Sequence, residues 1–190
     1  MKTLKLNYFT SNDDLRLSLQ HIQFNENGYI YASNGHILIK STIGDVFSDS
    51  FNSEELQQLW DKHKEIHIHS DEWKKIAGKQ LMYCDVLMDS DNKAIVQFYD
   101  KKTQYTVTVL TGDLEYFPVC DNVIPKGDLV PIEYIGIDGN ILSDVTMAIK
   151  SSYPPRFKYE FRGELKSIIL KHHQLMCTTI LVIPYLTNED

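Results

Sequence analysis

Short alternating apolar runs dominate this chain of 190 residues. Leu4, Leu6 and Tyr8 alternate with polar partners. After a polar break at Thr10-Ser11-Asn12-Asp13-Asp14, Leu15, Leu17 and Leu19 do the same, and Ile22 and Phe24 continue the run. Such a period of two predicts strands with one buried face. Asn25-Glu26-Asn27-Gly28 reads as a hairpin turn, because Asn-Gly supplies the positive φ that such turns need. Residues 29–32 then form a strand, Ser33-Asn34-Gly35 a second tight turn, and residues 36–39 another strand. The first 43 residues therefore read as a small β-meander.

The period changes at residues 52–63, where Leu56, Leu59 and Trp60 make a helical stripe, with Ser53 as N-cap and Glu54 and Glu55 in the first turn. Two similar units follow. The first, residues 66–110, opens on an alternating run and has a short helix capped by Ser70, with Trp73, Ile76 and Ala77 facing inward. Strands at 86–88, 95–98 and 105–110 complete it, with polar turns at 89–92 and 99–103. The second, residues 134–186, has a helix at 140–150 carrying Ile141, Leu142, Val145 and Ile149, ended by Pro154-Pro155. Its strands fall at 157–161, 167–170 and 178–182, with Arg162-Gly163-Glu164 as a turn. Val-Ile-Pro closes each stretch, at residues 123–125 and 182–184. The repetition predicts an α+β fold of duplicated β-α-β-β-β modules, with antiparallel sheets and short helices on one face.

Composition narrows the class. An apolar fraction of 43% and a charged fraction of 24% are those of an ordinary globular protein. A formal charge of −7 argues against a surface that coats nucleic acid all over, while leaving room for a local basic strip. Cys84, Cys120 and Cys177 are scattered, with no CxxC pair, and read as reduced cytosolic thiols. No apolar run approaches the roughly 20 residues that span a bilayer. A cytoplasmic protein with no membrane contact is expected.

Catalytic chemistry finds little footing. His67-x-His69 puts two imidazoles on one face of a strand and could begin a metal site, but Asp71 and Glu72 complete no ligand spacing. A polar, solvent-facing strand edge is the favoured reading, and His172-His173 falls in a turn. Asp89-x-Asp91 resembles the start of a calcium loop without the Gly and Glu such loops require. Cys120 has no partner His in reach. No metal, cofactor or catalytic residue is expected. Proline-bounded apolar segments stand out instead: Phe117-Pro118 running to Val123-Ile124-Pro125-Lys126, and residues 181–186, whose proline demands an edge or bulge. Apolar side chains left there could line a groove for a partner peptide.

These segments together resemble the bacterial DNA sliding clamp, the beta subunit of the replicative polymerase. YASNGHILIK looks like the clamp segment A-T-D-G-H-R-L-A, matching at Ala32, Gly35, His36 and Leu38, with Ile37 in place of Arg. LTGDLEYFPVCDNVIPKG is similar to L-x-x-G-x-F-P-D-Y-x-x-V-L-P-K, matching at Leu110, Phe117, Pro118, Val123, Pro125 and Lys126. TTILVIPYL is similar to the C-terminal V-V-M-P-M-R-L at Val182 and Pro184. IGIDGNILSDVTMAI looks like the opening of the second half of the last clamp domain. The segments occur in the clamp's order and cover most of the chain.

The resemblance implies a non-catalytic factor. In the family these loops converge on a groove that takes short peptide motifs from polymerases and other replication and repair proteins. Gly35, His36, Ile37, Leu38, Val123, Pro125, Val182, Ile183, Pro184 and Tyr185 would line it. Lys74, Lys75, Lys79 and Lys150 would face duplex DNA without reading sequence, or form an ordinary solvated helix face. The chain has room for about three half-modules. Residues 1–127 would be a domain of two, the first lacking its early helix, and 128–190 a further half packed against it. About one half appears missing between Lys126 and Pro131. A DNA-encircling processivity factor would then require a homo-oligomer. Two further readings stand beside it: a protein-binding adaptor or decoy from a mobile element with no DNA binding, favoured by the −7 charge, and a metal-dependent enzyme resting on His67, His69 and Asp71.

Overall fold

Gly28 at φ +79 and Gly35 at φ +91 close the two hairpins at the centre of the molecule. They fold β1 (His21–Phe24), β2 (Ile30–Ser33) and β3 (Ile37–Ser41) into an antiparallel meander. One arm grows from β1 through β4 (Ile66–His69), β7 (Gln104–Thr111), β6 (Lys93–Tyr99) and β5 (Tyr83–Asp89). The other grows from β3 through β10 (Thr179–Val182), β9 (Ile168–His172) and β8 (Phe157–Glu160). Among the described residues ten strands form one sheet, ordered β5-β6-β7-β4-β1-β2-β3-β10-β9-β8, and every neighbouring pair is antiparallel. The computed structural model describes residues 2–48, 50–112, 114, 117–132, 135–150, 153–162 and 167–184.

Four helices, α1 (Ile43–Val46), α2 (Glu54–His63), α3 (Ser70–Lys74) and α4 (Gly139–Ile149), bury one side each in a single apolar cluster. Leu56, Leu59 and Trp60 of α2, Trp73 of α3, and Val145 and Ile149 of α4 meet Phe24, Ile39, Val96, Phe98 and Val182 of the sheet there. The helices thus cover one face of an α+β architecture. Trp73 sits at its centre, with its ring 5.7 Å from Phe47 and its Nε1 donating to the Leu4 carbonyl at 3.0 Å. Two caps differ from expectation. Asn52 Oδ1, not Ser53, accepts the Glu54 amide at 3.0 Å. His69 Nδ1 accepts the Asp71 amide at 3.2 Å, so Ser70 is the first helical residue of α3.

The two earliest alternating runs are not strands. Leu6–Tyr8 is a 3-10 turn wedged against α3 and α4. Backbone amides around it go to three separate elements, Thr3 to Lys79, Leu4 to Val46 and Lys5 to Ala148, so no continuous ladder forms. Leu17–Gln20 is a second 3-10 turn. The Asp13 carboxylate accepts the Leu15 amide at 2.9 Å and bends the chain before it can reach a strand edge. Leu15 is left 93% exposed. Both edges of β1 are already occupied by β2 and β4.

Lys64, which ends α2, has φ +66 and ψ −43, a conformation that L side chains adopt at a cost. Lys64→Gly is expected to raise the unfolding free energy by up to about 1 kcal/mol, net of the entropy glycine adds to the unfolded chain. Urea denaturation of the two proteins checks this; an unchanged or lowered midpoint would show that the turn is unstrained.

Candidate functional site

The central strands carry apolar side chains on both faces. Ile30 and Ala32, Ile37 and Ile39, Ile168 and Leu170, and Ile180 and Val182 point to the helices, while Tyr31, Leu38, Ile169 and Leu181 point the other way. These outward side chains are also buried, because the connector around the 3-10 turn Cys120–Asn122 lies over them, with Phe117, Cys120 and Ile124 in contact. A tether holds it there. Asp121 Oδ1 accepts from Lys40 Nζ at 2.6 Å and from the Tyr31 hydroxyl at 3.0 Å. Lys40 and Tyr31 stand opposite each other on β3 and β2, so one carboxylate reaches both. Lys40 Nζ also lies 3.8 Å from the centroid of the Tyr29 ring.

The electrostatics follow this arrangement. The hydrogen bond from Lys40 holds the Asp121 carboxyl below the usual aspartate range, against desolvation. Burial, and then the Asp121 carboxylate, push the Tyr31 hydroxyl upward. Burial and the same carboxylate push the Cys120 thiol up to about 12, so it is no nucleophile at neutral pH.

Between the connector and the ends of β3 and β10 runs a groove of about 250 Å³. Gly35, His36, Ile37, Leu38, Val123 and Ile183 line it. The turn beneath is closely built. Ser33 Oγ donates to the Ile37 carbonyl and accepts the Gly35 amide, and Asn34 Oδ1 accepts the amides of His36 and Ile37. The Arg16 guanidinium lies over Gly35, 2.7 Å from where a Cβ would stand, and as the end of a flexible side chain it could shift aside. Ile183 donates its amide to the His36 carbonyl at 3.0 Å and carries the β3–β10 pairing past the last strand residue.

Three of the expected lining residues are not in this wall. Val182 is fully buried in the helix-side core, because alternation along β10 turns it away from Leu181 and Ile183. Pro125 is half-buried beyond the connector turn, and Pro184 lies just past the end of β10, so the proline needs no bulge. Tyr185 lies outside the described residues. Leu181 and Pro118, from the two proline-bounded segments expected to form a groove, also line it, as do Cys120, Leu19, Ser33 and Ser167, which had not been named for it. Leu181 was legible from its spacing of two from Ile183; nothing in the sequence pointed to Leu19, which arrives on a separate turn. Among the described residues the lining is mostly apolar, with Ser33, His36 and Ser167 as its polar members and no carboxylate, lysine or arginine, so it suits uncharged apolar side chains.

A wider cleft of about 640 Å³ lies on the other side of Arg16 and His36. Asp13 and Asp144 share its walls with Arg16 and Lys74, giving a polar basin without an apolar floor. Of the four lysines expected to meet DNA, Lys74 pairs with Asp71 at 2.7 Å and Lys75 with Glu72 at 2.5 Å. Lys79 lies 5.5 Å from the Tyr105 ring centroid, and Lys150 is exposed at the end of α4.

The histidines occupy structural places. β4 is an interior strand, and His67 on it is buried beside Glu65 and the Phe117 ring, not solvent-facing. His172 is likewise buried at the end of β9, its Nε2 donating to the Pro154 carbonyl at 2.7 Å. Asp89 binds Lys62 and His63. Among the described residues no three His, Cys, Asp or Glu side chains converge as metal ligands.

No family model and no curated protein matches the chain. Solved structures match its fold. The sliding clamp of Bartonella birtlesii, solved bound to griselimycin, superposes with a TM-score of 0.57 at 11% identity, covering 96% of this chain and 63% of that one. The Bacillus subtilis DNA polymerase sliding clamp gives 0.56 at 10% identity, covering 95% and 60%. The fold is that of a DNA polymerase sliding clamp. A putative DNA polymerase III beta subunit from Eubacterium rectale gives 0.53 at 11% identity, covering the whole of this chain and 65% of its own. The chain thus spans less than two thirds of the length of these clamps.

The tether makes a pH-dependent contribution. Because the folded Asp121 value is lowered, that contribution is complete above the ordinary aspartate pKa, about 3.9, and disappears as pH falls through the folded value. At neutral pH, Asp121→Ala should loosen the connector by up to about 1 kcal/mol, discounted for the half-exposed carboxylate. Hydrogen exchange of the connector amides of Asn122 and Val123 should then rise about two- to fivefold. Equal protection of these amides in both proteins would show that apolar contacts alone hold the connector.

Proposed function

We propose that this chain is a non-catalytic clamp-like factor that receives a short apolar peptide from a polymerase or another replication or repair protein. The observation that carries this reading is the groove itself. Three segments far apart in sequence, at residues 33–38, 118–123 and 181–183, form one apolar slot on a sliding-clamp fold. Such a slot takes alternate side chains of an extended peptide, and the burial of two or three aliphatic or aromatic groups supplies the affinity.

The test uses a labelled peptide rich in Gln, Leu and Phe, followed by fluorescence anisotropy. Micromolar binding is expected, with Ile183→Asp and Leu38→Asp each weakening it at least tenfold, about 1.4 kcal/mol. Absence of binding at high micromolar concentration would remove the groove assignment.

A role as a processivity factor adds two requirements: contact with duplex DNA, and self-association, since one chain carries fewer modules than a clamp subunit. Beyond the Asn52–Tyr83 bridge, the outer edges of β5 and β8 pair with no other strand among the described residues and offer backbone for such an assembly. The reading as a protein-binding adaptor without DNA draws support from the local neutralisation of Lys74 and Lys75 and from the charge of −7. Light scattering and salt-dependent DNA binding separate the two. The processivity reading predicts an oligomer and an affinity for duplex DNA that falls steeply with salt. A monomer with no DNA affinity at low salt would leave the adaptor.

A further inference from the structure

The Leu17–Gln20 turn brings Leu19 to the groove, and a pair of histidines ties this turn to the sheet. His21 Nδ1 donates to the Leu17 carbonyl at 3.0 Å, and His69 Nε2 donates to Gln20 Oε1 at 3.3 Å. The two rings face each other across the β1–β4 pairing, edge to face, with centroids 5.0 Å apart. Because the other nitrogen of His69 accepts the Asp71 amide, and an amide can only donate, the ring must be neutral with its proton on Nε2. A second partner is in place for the charged form: the Asp71 carboxylate lies 3.8 Å from His69 Nδ1.

We propose that His69 is a pH-operated catch on the rim of the groove, a regulation that, for partner binding, rests on the groove reading above. Neutral, it caps α3 and holds Gln20. Protonated, its Nδ1–H meets the Asp71 amide head-on. The ring then turns to the Asp71 carboxylate, drops Gln20, and lets the turn carrying Leu19 move away from the groove. Imidazole is the side chain whose charge answers to mild acid, so acid operates the catch.

The charges around His69 fit this assignment. From α3 it meets Asp71 and Glu72, which favour its cation, with Lys74 and Lys75 bound to those same carboxylates. From the turn, Gln20 links it to Asp14 Oδ1 and the Asp13 carbonyl. From β1, His21 opposes it. Burial keeps His21 neutral to lower pH than an ordinary histidine, with the Leu17 bond pulling the other way.

Hydrogen exchange of residues 17–20 in the full chain, corrected for the intrinsic pH dependence, tests the catch directly. Opening is expected to rise about fivefold from pH 7.5 to 5.5, the size of one lost N-cap. His69→Asn and His69→Ser each keep an acceptor for the Asp71 amide at every pH and should abolish the response; either variant suffices if the other fails to fold. Unchanged exchange in the wild-type chain, or the same acid response in the folded variants, would overturn the proposal. Binding of the Gln-, Leu- and Phe-rich peptide should weaken about fivefold over the same range in the wild type and stay constant in the variants. If the peptide binds at no pH, the groove reading fails while the exchange measurement still decides the catch.

Discussion

A central sheet with apolar side chains on both faces must be covered twice. β2, β3, β9 and β10 bury Ile, Val and Leu on one side, and on the other Tyr31, Leu38, Ile169 and Leu181 stand beside Lys40, Lys171 and Thr179; neither apolar set can be left to water. Helices α2, α3 and α4 cover one side. Among the described residues the connector at 117–124 lies over the other. Beside it Leu38 and Leu181 form the buried floor of a slot, and Ile183 stands exposed at its rim. The groove lies at the margin of that cover.

Its position then depends on a few polar contacts. Asp121 fastens the connector by reaching Lys40 and Tyr31, which the β2–β3 register brings side by side. The Ser33-Asn34-Gly35 turn fixes the opposite wall through four short-range hydrogen bonds. The third wall is different in kind. Leu19 sits on a 3-10 turn tied in by histidine and glutamine side chains, so this part of the rim answers to conditions that leave the backbone ladders untouched.

The charge distribution sets this chain's helix face apart from a simple basic strip. Lys74 and Lys75 each have a carboxylate three residues earlier on the same helical face, and such pairs are screened and weak in water. They can exchange partners, but they present little net charge until they do. The chain's likeness to longer clamps therefore speaks for its fold alone.

Much was readable from residue order alone. The meander at 21–41, the stripe of α2, and the three strands of each later unit follow from periods of 2 and 3.6 and from glycine turns, which are local properties of the backbone. Leu4 to Tyr8 and Leu15 to Leu19 show the limit. Their alternation is as regular as that of true strands, but a strand exists only where an edge is free to pair, and β1 had none to offer. Val182 and Leu181 show the same limit at the site: the pattern placed them on opposite faces, but only the tertiary structure decided which face the helices took and which the connector left open. Leu19, Cys120 and the Asp121 tether lie beyond sequence for the same physical reason. Their roles come from contacts between segments dozens of residues apart, and no local rule constrains those.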